Sequence, residues 1–275
     1  MEENVYNDLW YWYLTGEKRR TFSKELDAAF ISSQRFFKLF PGNPRCFECG
    51  MPLHGPGSFI LKPFGSSPSS FSSRFCSRCE NIARKVEAGA EVELSLLFAD
   101  VRGSTPLAEK TGTSEFEKLI RRFYKATTDV LIDHLAMVNR LIGDQVSGIF
   151  VPRFAGQEHA KVAIHAAQEL LRVTGHEDPE GPWIPLGAGV HTGTAYVGAV
   201  GSKDGVNEIG VLGSAANIAA RLSSQAKTGE ILVSDSAAAS ASLDVSGLEN
   251  RRLELKGVSQ PVSVYVLRVY QGVNP

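Results

Sequence analysis

Apolar and polar residues alternate over residues 92–99, and this pattern predicts a β-strand that ends at Asp100. A second region of alternating character, residues 138–151, consists of two apolar runs that flank Gly143 and Asp144. A Gly-Asp dipeptide between two such runs suits a tight hairpin turn. The pattern therefore predicts a hairpin with Asp144 at its tip, in the same sheet as the strand that carries Asp100.

A stripe of apolar residues at helical spacing separates this strand from the hairpin, and Ser114 and Glu117 at its start have the spacing of a capping box. Later segments predict a helix stopped by Gly175, one more helix and further strands. The helices are residues 160–171 and 214–226, and the strands are 186–191, 194–200, a run near 231, 253–256 and 262–269. The order β-α-β-β-α-β predicts an α+β, ferredoxin-like core with helices on one face of an antiparallel sheet.

Composition changes near residues 88–90, where an aromatic, cysteine-bearing and serine-rich region gives way to alternating strands and helices. We therefore expect an aromatic-rich helical segment at 1–40, a cysteine module at 41–88 and the α+β domain at 89–275. The first segment predicts one or two short amphipathic helices that pack against the larger domain or a dimer partner. A membrane-surface helix is the alternative, but acidic residues dilute its basic face.

The balance of charge argues against several kinds of partner. The 275-residue chain has 29 basic and 30 acidic residues and a formal net charge of -1, so nothing global attracts nucleic acid or an acidic membrane. The N-terminus carries acids instead of the basic region of a signal peptide, and no run reaches the roughly 18 to 20 apolar residues needed to cross a bilayer. We therefore expect a cytoplasmic protein with no transmembrane segment and no nucleic-acid partner.

All four cysteines lie in two CxxC pairs, Cys46 with Cys49 and Cys76 with Cys79. Cytosolic thiols stay reduced, so this spacing indicates a metal site more than a disulfide framework. Four thiolates suit tetrahedral Zn²⁺ in a closed structural site. An iron-sulfur cluster is the alternative. Four unligated thiols would leave the regular spacing without an explanation, and His54 is a further candidate ligand.

Asp100 and Asp144 are candidate ligands for catalytic metal ions. Each follows an apolar strand, and residues 103–105 form a small turn that lets a phosphate chain approach the backbone. Either acid alone more often caps a helix. Two such carboxylates in one sheet, however, suit a pair of Mg²⁺ or Mn²⁺ ions ~3.5 to 4 Å apart, the separation used in phosphoryl chemistry.

With these residues in view, the chain resembles the class III adenylate and guanylate cyclase catalytic domain over residues 92–270. Several motifs match in order along the chain. They are FADVRGST at 98–105, LIGD at 141–144, GVHTG at 189–193, NIAARL at 217–222 and LKG at 255–257. The first two resemble the family's metal motifs, the fourth its transition-state helix and the last its triphosphate-binding turn.

The resemblance implies a two-metal enzyme that converts ATP, the family's default substrate, into 3′,5′-cyclic AMP and pyrophosphate in intracellular signalling. Asp100 and Asp144 would hold the two ions, with the backbone carbonyl of Val101 as a further ligand. Asn217 and Arg221 are four residues apart and so share one helix face, where the amide would orient the ribose and the guanidinium would meet the α-phosphate.

Two lysines are candidate triphosphate contacts. Lys256 resembles the family's triphosphate lysine, whose point charge suits the β- and γ-phosphates. Lys203 is a second candidate for this role, although the favoured interpretation of Lys203 is a solvated surface residue. In this family the metal acids and the Asn-Arg pair of one site come from different subunits. The resemblance therefore implies a homodimer with two composite sites.

The base-reading positions depart from the family pattern. Arg140 stands where the family's adenine-reading lysine lies, and Gly210 replaces its acidic or threonine partner. Glu208 would reach the base only if the strand bulged at Gly210. GTP, or UTP and CTP as in the pyrimidine cyclases of phage defence, therefore remain alternatives to ATP.

Two other classes of function compete with an active cyclase. One is a catalytically silent, cyclase-like nucleotide sensor or dimerisation module, against which the retained metal acids and Asn-Arg pair argue. The other is a zinc-ribbon nucleic-acid binder, suggested by arginines near the cysteines at positions 45, 74, 78 and 84. The neutral overall charge argues against it.

Overall fold

The computed structural model describes residues 2–19, 23–69, 72–85, 88–201 and 208–268. The chain divides into two compact units. The first comprises Met1–Val92, Pro152–Phe154 and Tyr196–Leu212, and the second comprises Glu93–Val151, Ala155–Ala195 and Gly213–Pro275. The expected division at 1–40, 41–88 and 89–275 stays a prediction.

Helices of the first unit surround a cluster of aromatic side chains. They are α1 (Glu2–Thr15), α2 (Lys24–Phe37), α3 (Pro56–Leu61), a 3₁₀ turn at Lys62–Phe64, and α4 (Ser77–Lys85). Trp12 and Tyr13 of α1 are 5% and 4% exposed, with ring centroids 4.9 Å from Phe30 and 5.6 Å from Phe75 respectively. The apolar face of α1 is therefore packed inside the unit. Within the described residues, no helix has the length and apolar character needed to span a membrane.

The strands form one sheet. They are β1 (Gly89–Val101), β2 (Met137–Ile142), β3 (Gln145–Phe150), β4 (Leu186–Val200), β5 (Glu208–Leu212), β6 (Glu230–Ser234), β7 (Glu249–Leu253) and β8 (Val262–Arg268). Their order is β2-β3-β1-β4-β6-β8-β7, and β5 pairs with β4. β3 runs antiparallel to both β1 and β2, whereas β6 pairs in parallel with β4. The sheet is therefore mixed.

Helices of the second unit bury their apolar stripes against the sheet. They are α6 (Thr113–Asp133), α8 (His159–Val173), α9 (Ser214–Gln225) and α10 (Asp235–Ser240). The helix α5 (Ser104–Thr111) of this unit has no buried residue, and the short α7 (Pro152–Ala155) lies in the first unit except for Ala155. Phe123 of α6 and Leu170 of α8 are fully buried in one core with Leu97 of β1 and Ile231 of β6. Burying such side chains stabilises the fold by about 1.5 to 3 kcal/mol each.

The predicted α+β core of ferredoxin-like order is confirmed. Strand β1, helix α6, the hairpin β2-β3, helix α8 and strand β4 follow one another along the chain. Strand β3 lies between β1 and β2, which is the split β-α-β arrangement of this plan. The expectation of an antiparallel sheet holds for β1, β2 and β3, and the parallel pairing of β6 with β4 extends it into a mixed sheet.

Three local predictions were wrong. The capping box is not used, because α6 begins at Thr113 after Gly112, whose φ of 79° suits glycine and makes the sharp turn from α5. The runs 186–191 and 194–200 are one continuous strand, since the small residues between them fit an extended backbone. The strand expected at 253–256 lies earlier in the chain: β7 spans Glu249–Leu253, and residues 254–256 are outside it.

Candidate functional site

The structure brings Asp100 and Asp144 to the same end of two neighbouring strands. Asp100 pairs with Gln145 in the β1-β3 ladder, and the main-chain N–H of Val101 donates to the carbonyl of Asp144 at 3.0 Å. Gly143 and Asp144 form the turn between β2 and β3, and Gly143 has a φ of 62°, which tight hairpin turns favour at this position. The hairpin predicted from the sequence, with Asp144 at its tip, is confirmed.

Charges at these strand ends favour a cation. Burial raises the pKa of Asp100 above its ordinary value; the guanidinium of Arg102 opposes this shift and the carboxylate of Asp144 adds to it. Two carboxylates that repel each other are stabilised by a cation between them, and carboxylate oxygens are preferred ligands of Mg²⁺. The residues present thus fit divalent metal ions, with the carbonyl of Val101 in the same turn.

Arg102 makes a contact that the sequence pattern did not reveal. Its Nη2 lies 2.8 Å from Oδ2 of Asp100, and its Nη1 donates to the carbonyl of Ser224 at 2.9 Å. Its Nε also donates to the main-chain carbonyl of Asp100 at 3.3 Å. The spacing of Arg102 two residues after Asp100 is a signal in the sequence for the contact between them. The sequence contains no such signal for the contact with Ser224.

A groove of about 800 Å³ opens beside the hairpin tip. Its lining includes Ser104 at the start of α5, Asp144 at the tip and the apolar side chain of Ile120 on α6. Tyr124 of α6 donates its hydroxyl hydrogen bond to the carbonyl of Gly143 at 2.6 Å, which ties the hairpin tip to the helix. The small-residue turn after the first acid therefore lies at an open groove with room for a phosphate chain.

Asn217 and Arg221 lie one turn apart on the exposed side of α9, whereas Leu222 of the same helix is fully buried. Within the described part of the chain, neither polar side chain hydrogen-bonds to Asp100 or Asp144. The structure therefore presents this pair to the outside of the subunit and does not bring it onto the acids of its own chain.

Of the other predicted site residues, the structure describes Lys256 and Gly210 fully and Arg140 by its backbone alone. Lys256 is exposed beside Gly257 in the turn that follows β7. Lys203 and the side chain of Arg140 lie outside the described residues, although the backbone of Arg140 pairs with Ser147. Gly210 is buried in β5.

The pairing of β5 with β4 tests the idea of a bulge at Gly210. Gly210 lies opposite Gly198, and the ladder runs from Glu208 to Leu212 without a shift of register. The described strand β5 therefore has no bulge at Gly210, which was the condition for Glu208 to reach a base. A Cβ atom at position 210 would meet Cγ2 of Val200 at 3.2 Å, a close contact that a small movement of that side chain relieves.

The four cysteines converge into one buried cluster. Their sulfur atoms all lie within 4.8 Å of one another, and Sγ of Cys49 is 3.6 Å from Sγ of Cys76. Hydrogen bonds from neighbouring thiols, that of Cys49 foremost, lower the pKa of Cys46 and favour its thiolate. Four thiolates around one tetrahedral ion at about 2.3 Å would lie roughly 3.8 Å apart, so the cluster fits a single metal ion. His54 is exposed and is not part of it.

Glu48, between the two cysteines of the first pair, is fully buried. Its Oε1 lies 3.7 Å from Nε of Arg153, and Arg153 also donates from Nη2 to the carbonyl of Phe47 at 3.2 Å. Burial raises the pKa of Glu48, and Arg153 opposes this shift. This pair leaves no signal in the sequence, because the two residues are far apart in the chain.

Fold and paired acids together define an α+β domain with a carboxylate site suited to metal-assisted phosphoryl chemistry. A family model described as the adenylate and guanylate cyclase catalytic domain matches residues 86–269. The chain therefore belongs to this family, and the resemblance carried by the sequence motifs is confirmed.

Known relatives agree with this assignment. An adenylate cyclase of Mycobacterium tuberculosis is 31% identical over 162 residues, which are 58% of this chain and 35% of that protein. An uncharacterized protein of Mycobacterium bovis is 32% identical over 197 residues, 66% of this chain and 36% of that protein. The chain thus spans about a third of the length of these curated relatives.

Solved structures show the same fold. The crystal structure of the guanylyl cyclase Cya2 is similar with a TM-score of 0.58 and 26% identity, covering 68% of this chain and 97% of that one. The adenylyl cyclase CyaB from P. aeruginosa is similar in fold, with a TM-score of 0.57 and 22% identity, covering 68% of this chain and 99% of that one.

Proposed function

We propose that this chain is a nucleotidyl cyclase that converts a nucleoside triphosphate, with ATP as the expected substrate, into the 3′,5′-cyclic nucleotide and pyrophosphate. One observation carries the proposal: Asp100 and Asp144 adjoin at the ends of β1 and β3 in a chain of the cyclase family. The relative named adenylate cyclase supports the reaction and the choice of base.

Mg²⁺ or Mn²⁺ ions bound there would activate the ribose 3′-hydroxyl and offset charge on the phosphates. Asp100 and Asp144 would hold two such ions through carboxylate oxygens, with the carbonyl of Val101 as a further ligand. The groove beside Ser104 supplies room for the triphosphate. Exposed Lys256 would contact the β- and γ-phosphates, and Lys203 stays a second candidate for that role.

A homodimer would complete the site. Asn217 would orient the ribose of a nucleotide held by the partner subunit, and Arg221 would stabilise charge at its α-phosphate. The exposure of both side chains on α9, without a hydrogen bond to the acids of the same chain within the described residues, supports this arrangement. Each dimer would then contain two composite sites and each monomer none.

Base choice rests on Arg140 and Gly210, which we assign from the family motifs. A guanidinium offers only donors, so Arg140 would favour base edges that present acceptors. Gly210 supplies no side chain to accept the adenine amino group. Selection among triphosphates should therefore be weaker than in relatives with an acid or threonine there, and GTP, UTP and CTP are the alternatives to test.

We further propose that the four cysteines hold one structural Zn²⁺ ion. Sulfurs this close together fit a single tetrahedral ion better than a multi-iron cluster, and their burial matches a closed site without an open coordination position. The ion would tie residues 46–49 to residues 76–79 and so stabilise the first unit.

One assay tests the reaction. Purified protein is incubated separately with ATP, GTP, CTP and UTP plus Mg²⁺ or Mn²⁺, and cyclic products are identified by mass. We expect a 3′,5′-cyclic nucleotide and pyrophosphate in equal amounts from the wild type. Asp100→Ala and Asp144→Ala should retain the fold by circular dichroism and form no product. Product from either variant at the wild-type rate would contradict the two-metal site, and no product from the wild type with any triphosphate would contradict the cyclase assignment.

A further inference from the structure

Arg102 contacts both strand β1 and helix α9 of the second unit. Its guanidinium reaches Asp100 with Nη2 and the carbonyl of Ser224 with Nη1, at 2.8 and 2.9 Å. The main-chain N–H of Arg102 donates to the carbonyl of Pro185 at 2.8 Å, which fixes the backbone from which the side chain extends. The planar guanidinium holds its donors in a fixed fork whose two arms reach the two acceptors, whereas an ammonium concentrates its charge on one nitrogen at the end of a flexible stem.

The contact with Ser224 lies at the C-terminal end of α9, the helix that also carries Arg221. Ser224 is in the last turn of α9, where main-chain carbonyls have no partner within the helix and a cation is favoured by the helix dipole. Arg221 lies three residues earlier on the same helix. A movement of the last turn of α9 would therefore change the position of Arg221.

We infer that Arg102 is a positioning residue that couples the metal ligand Asp100 to helix α9. The inference rests on the proposed function, in which Asp100 binds metal and α9 acts on the nucleotide of the partner subunit. Asp100 cannot give its full charge both to the guanidinium and to a divalent ion, so metal binding weakens its pair with Arg102. In the proposed dimer, Asp100 belongs to one composite site and α9 of the same chain belongs to the other. Arg102 therefore links metal binding in the first site to the position of α9 in the second.

The test measures metal binding and helix protection in the same samples, without turnover. The 275-residue chain receives Mn²⁺ and 3′-deoxy-ATP, which lacks the attacking hydroxyl. Bound Mn²⁺ is measured by electron paramagnetic resonance, and backbone hydrogen exchange is followed over residues 214–226. Arg102→Lys keeps the charge and loses the two-armed contact. Arg172→Lys, an exposed arginine paired with Glu169 on α8, is the matched control.

In the wild type and in Arg172→Lys we expect the metal complex to change exchange over 214–226 at least two-fold. In Arg102→Lys, exchange in the last turn should be faster without metal, and the response to the complex should fall to less than half although Mn²⁺ still binds. The change in hydrogen exchange that remains in Arg102→Lys reports direct contact of the nucleotide with α9. An undiminished response in Arg102→Lys, or Mn²⁺ binding to the wild type with no change in α9, overturns the inference alone. Failure of Mn²⁺ to bind the wild type overturns the proposed metal site together with it.

Discussion

The guanidinium of Arg153 lies 3.7 Å from the carboxylate of Glu48, a fully buried side chain between the cysteines of the first CxxC pair. Arg153 also packs its charge 5.2 Å from the ring centroid of Trp12, and Phe154 beside it stacks on Phe47 at 5.6 Å. The residues that follow β3 in the chain thus belong to the packing of the cysteine module. Arg153 thus supplies a counter-charge to a carboxylate that is fully buried near Cys46 and Cys76.

Replacement of Arg153 should therefore cost more stability than the weak geometry of one ion pair suggests. Arg153→Met keeps most of the apolar contact with the aromatic rings but leaves the Glu48 carboxylate without its counter-charge. Removing one partner of a buried pair typically costs about 3 to 5 kcal/mol, but burial raises the pKa of Glu48, so its carboxyl can take up a proton once Arg153 is gone. We therefore expect a smaller loss, of about 1 to 3 kcal/mol, in chemical unfolding.

The double variant Glu48→Gln with Arg153→Met provides the control, because it removes both charges. It should recover most of the stability lost in the single variant, giving a coupling free energy of at least about 1 kcal/mol in a double-mutant cycle. Equal losses in the single and double variants would show that Arg153 acts by packing alone.

Composite sites make a quantitative prediction for mixed dimers. Asp100→Ala and Arg221→Ala should each be inactive, and after equal mixing with free exchange half of the dimers contain both chains. Each mixed dimer rebuilds one intact site, so activity should return to about a quarter of the wild-type value. Mixing Asp100→Ala with Asp144→Ala is the matched control, because each site then keeps one damaged acid and activity should stay absent. No recovery in the first mixture, with subunit exchange proven by mass, would contradict shared sites.

Removal of the metal should affect the cysteine module most. Metal analysis of purified protein should give one zinc per chain, and a chelator should increase hydrogen exchange over residues 41–88 far more than in the second unit, since metal binding free energy is folding free energy in such modules. Cys76→Ser should lose the ion, whereas His54→Ala should keep it because His54 is exposed outside the cluster. Stoichiometric iron and sulfide, or a metal-free module with unchanged protection, would contradict the zinc assignment.

A charge network on β6, β7 and β8 predicts acid sensitivity. Glu230, with its side chain 4% exposed, accepts hydrogen bonds from both Arg251 and Arg268, and the pKa of Glu230 is lowered to about 2, chiefly by Arg251. A depressed carboxyl pKa contributes stability that is fully present above the ordinary value of 4.5 and is lost as the pH falls toward about 2.

We therefore expect Glu230→Gln to lower the free energy of unfolding at pH 7 by about 2 kcal/mol and to flatten its decline between pH 4.5 and 2. Asp129→Asn is the control, since the Lys125–Asp129 pair is exposed on α6 and screened by solvent, so its loss should change stability much less than the loss of Glu230. Chemical unfolding over this pH range is the measurement. Parallel pH curves for Glu230→Gln and the wild type would contradict the assignment.

Local signals in the sequence were sufficient for the acids of the candidate site. Period-two alternation located the strand that ends at Asp100, and the Gly143-Asp144 dipeptide located the hairpin tip, because both patterns depend on neighbours in the chain. The start of α6 was missed for a related reason. Ser114 and Glu117 match a capping pattern, but the positive φ of Gly112 sets the turn one residue before the helix begins.

Contacts between distant segments left no such signal. Arg102 reaches a carbonyl 122 positions away in the chain, and Arg153 reaches one 106 positions away. Each arginine looks like an ordinary charged residue in the sequence, and its role depends on which carboxylate and carbonyl the tertiary fold places beside it. The positions of Asp100 and Asp144 at neighbouring strand ends could therefore be predicted from the sequence, whereas the contacts of Arg102 and Arg153 could not.

Base choice gives the most discriminating prediction for the catalytic site. With Gly210 in place of an acceptor for the adenine amino group, the wild type should convert a second triphosphate at a measurable rate. Arg140→Lys with Gly210→Asp should shift the ratio of kcat/KM values toward ATP, each restored hydrogen bond contributing on the order of 1 to 3 kcal/mol to discrimination.

The structure makes the double variant a fair test and supplies its control. A Cβ atom at position 210 meets Val200, its Cγ2 at 3.2 Å and its Cβ at 3.6 Å, so any larger residue requires Val200 to shift by a few tenths of an ångström within the regular β4-β5 ladder. Arg140→Lys with Gly210→Ala introduces the same Cβ contact without an acceptor and should not gain preference for ATP. If the wild type converts ATP alone and the aspartate variant behaves like the alanine control, then a residue other than these two selects the base, because neither the donor at 140 nor an acceptor at 210 would change the outcome.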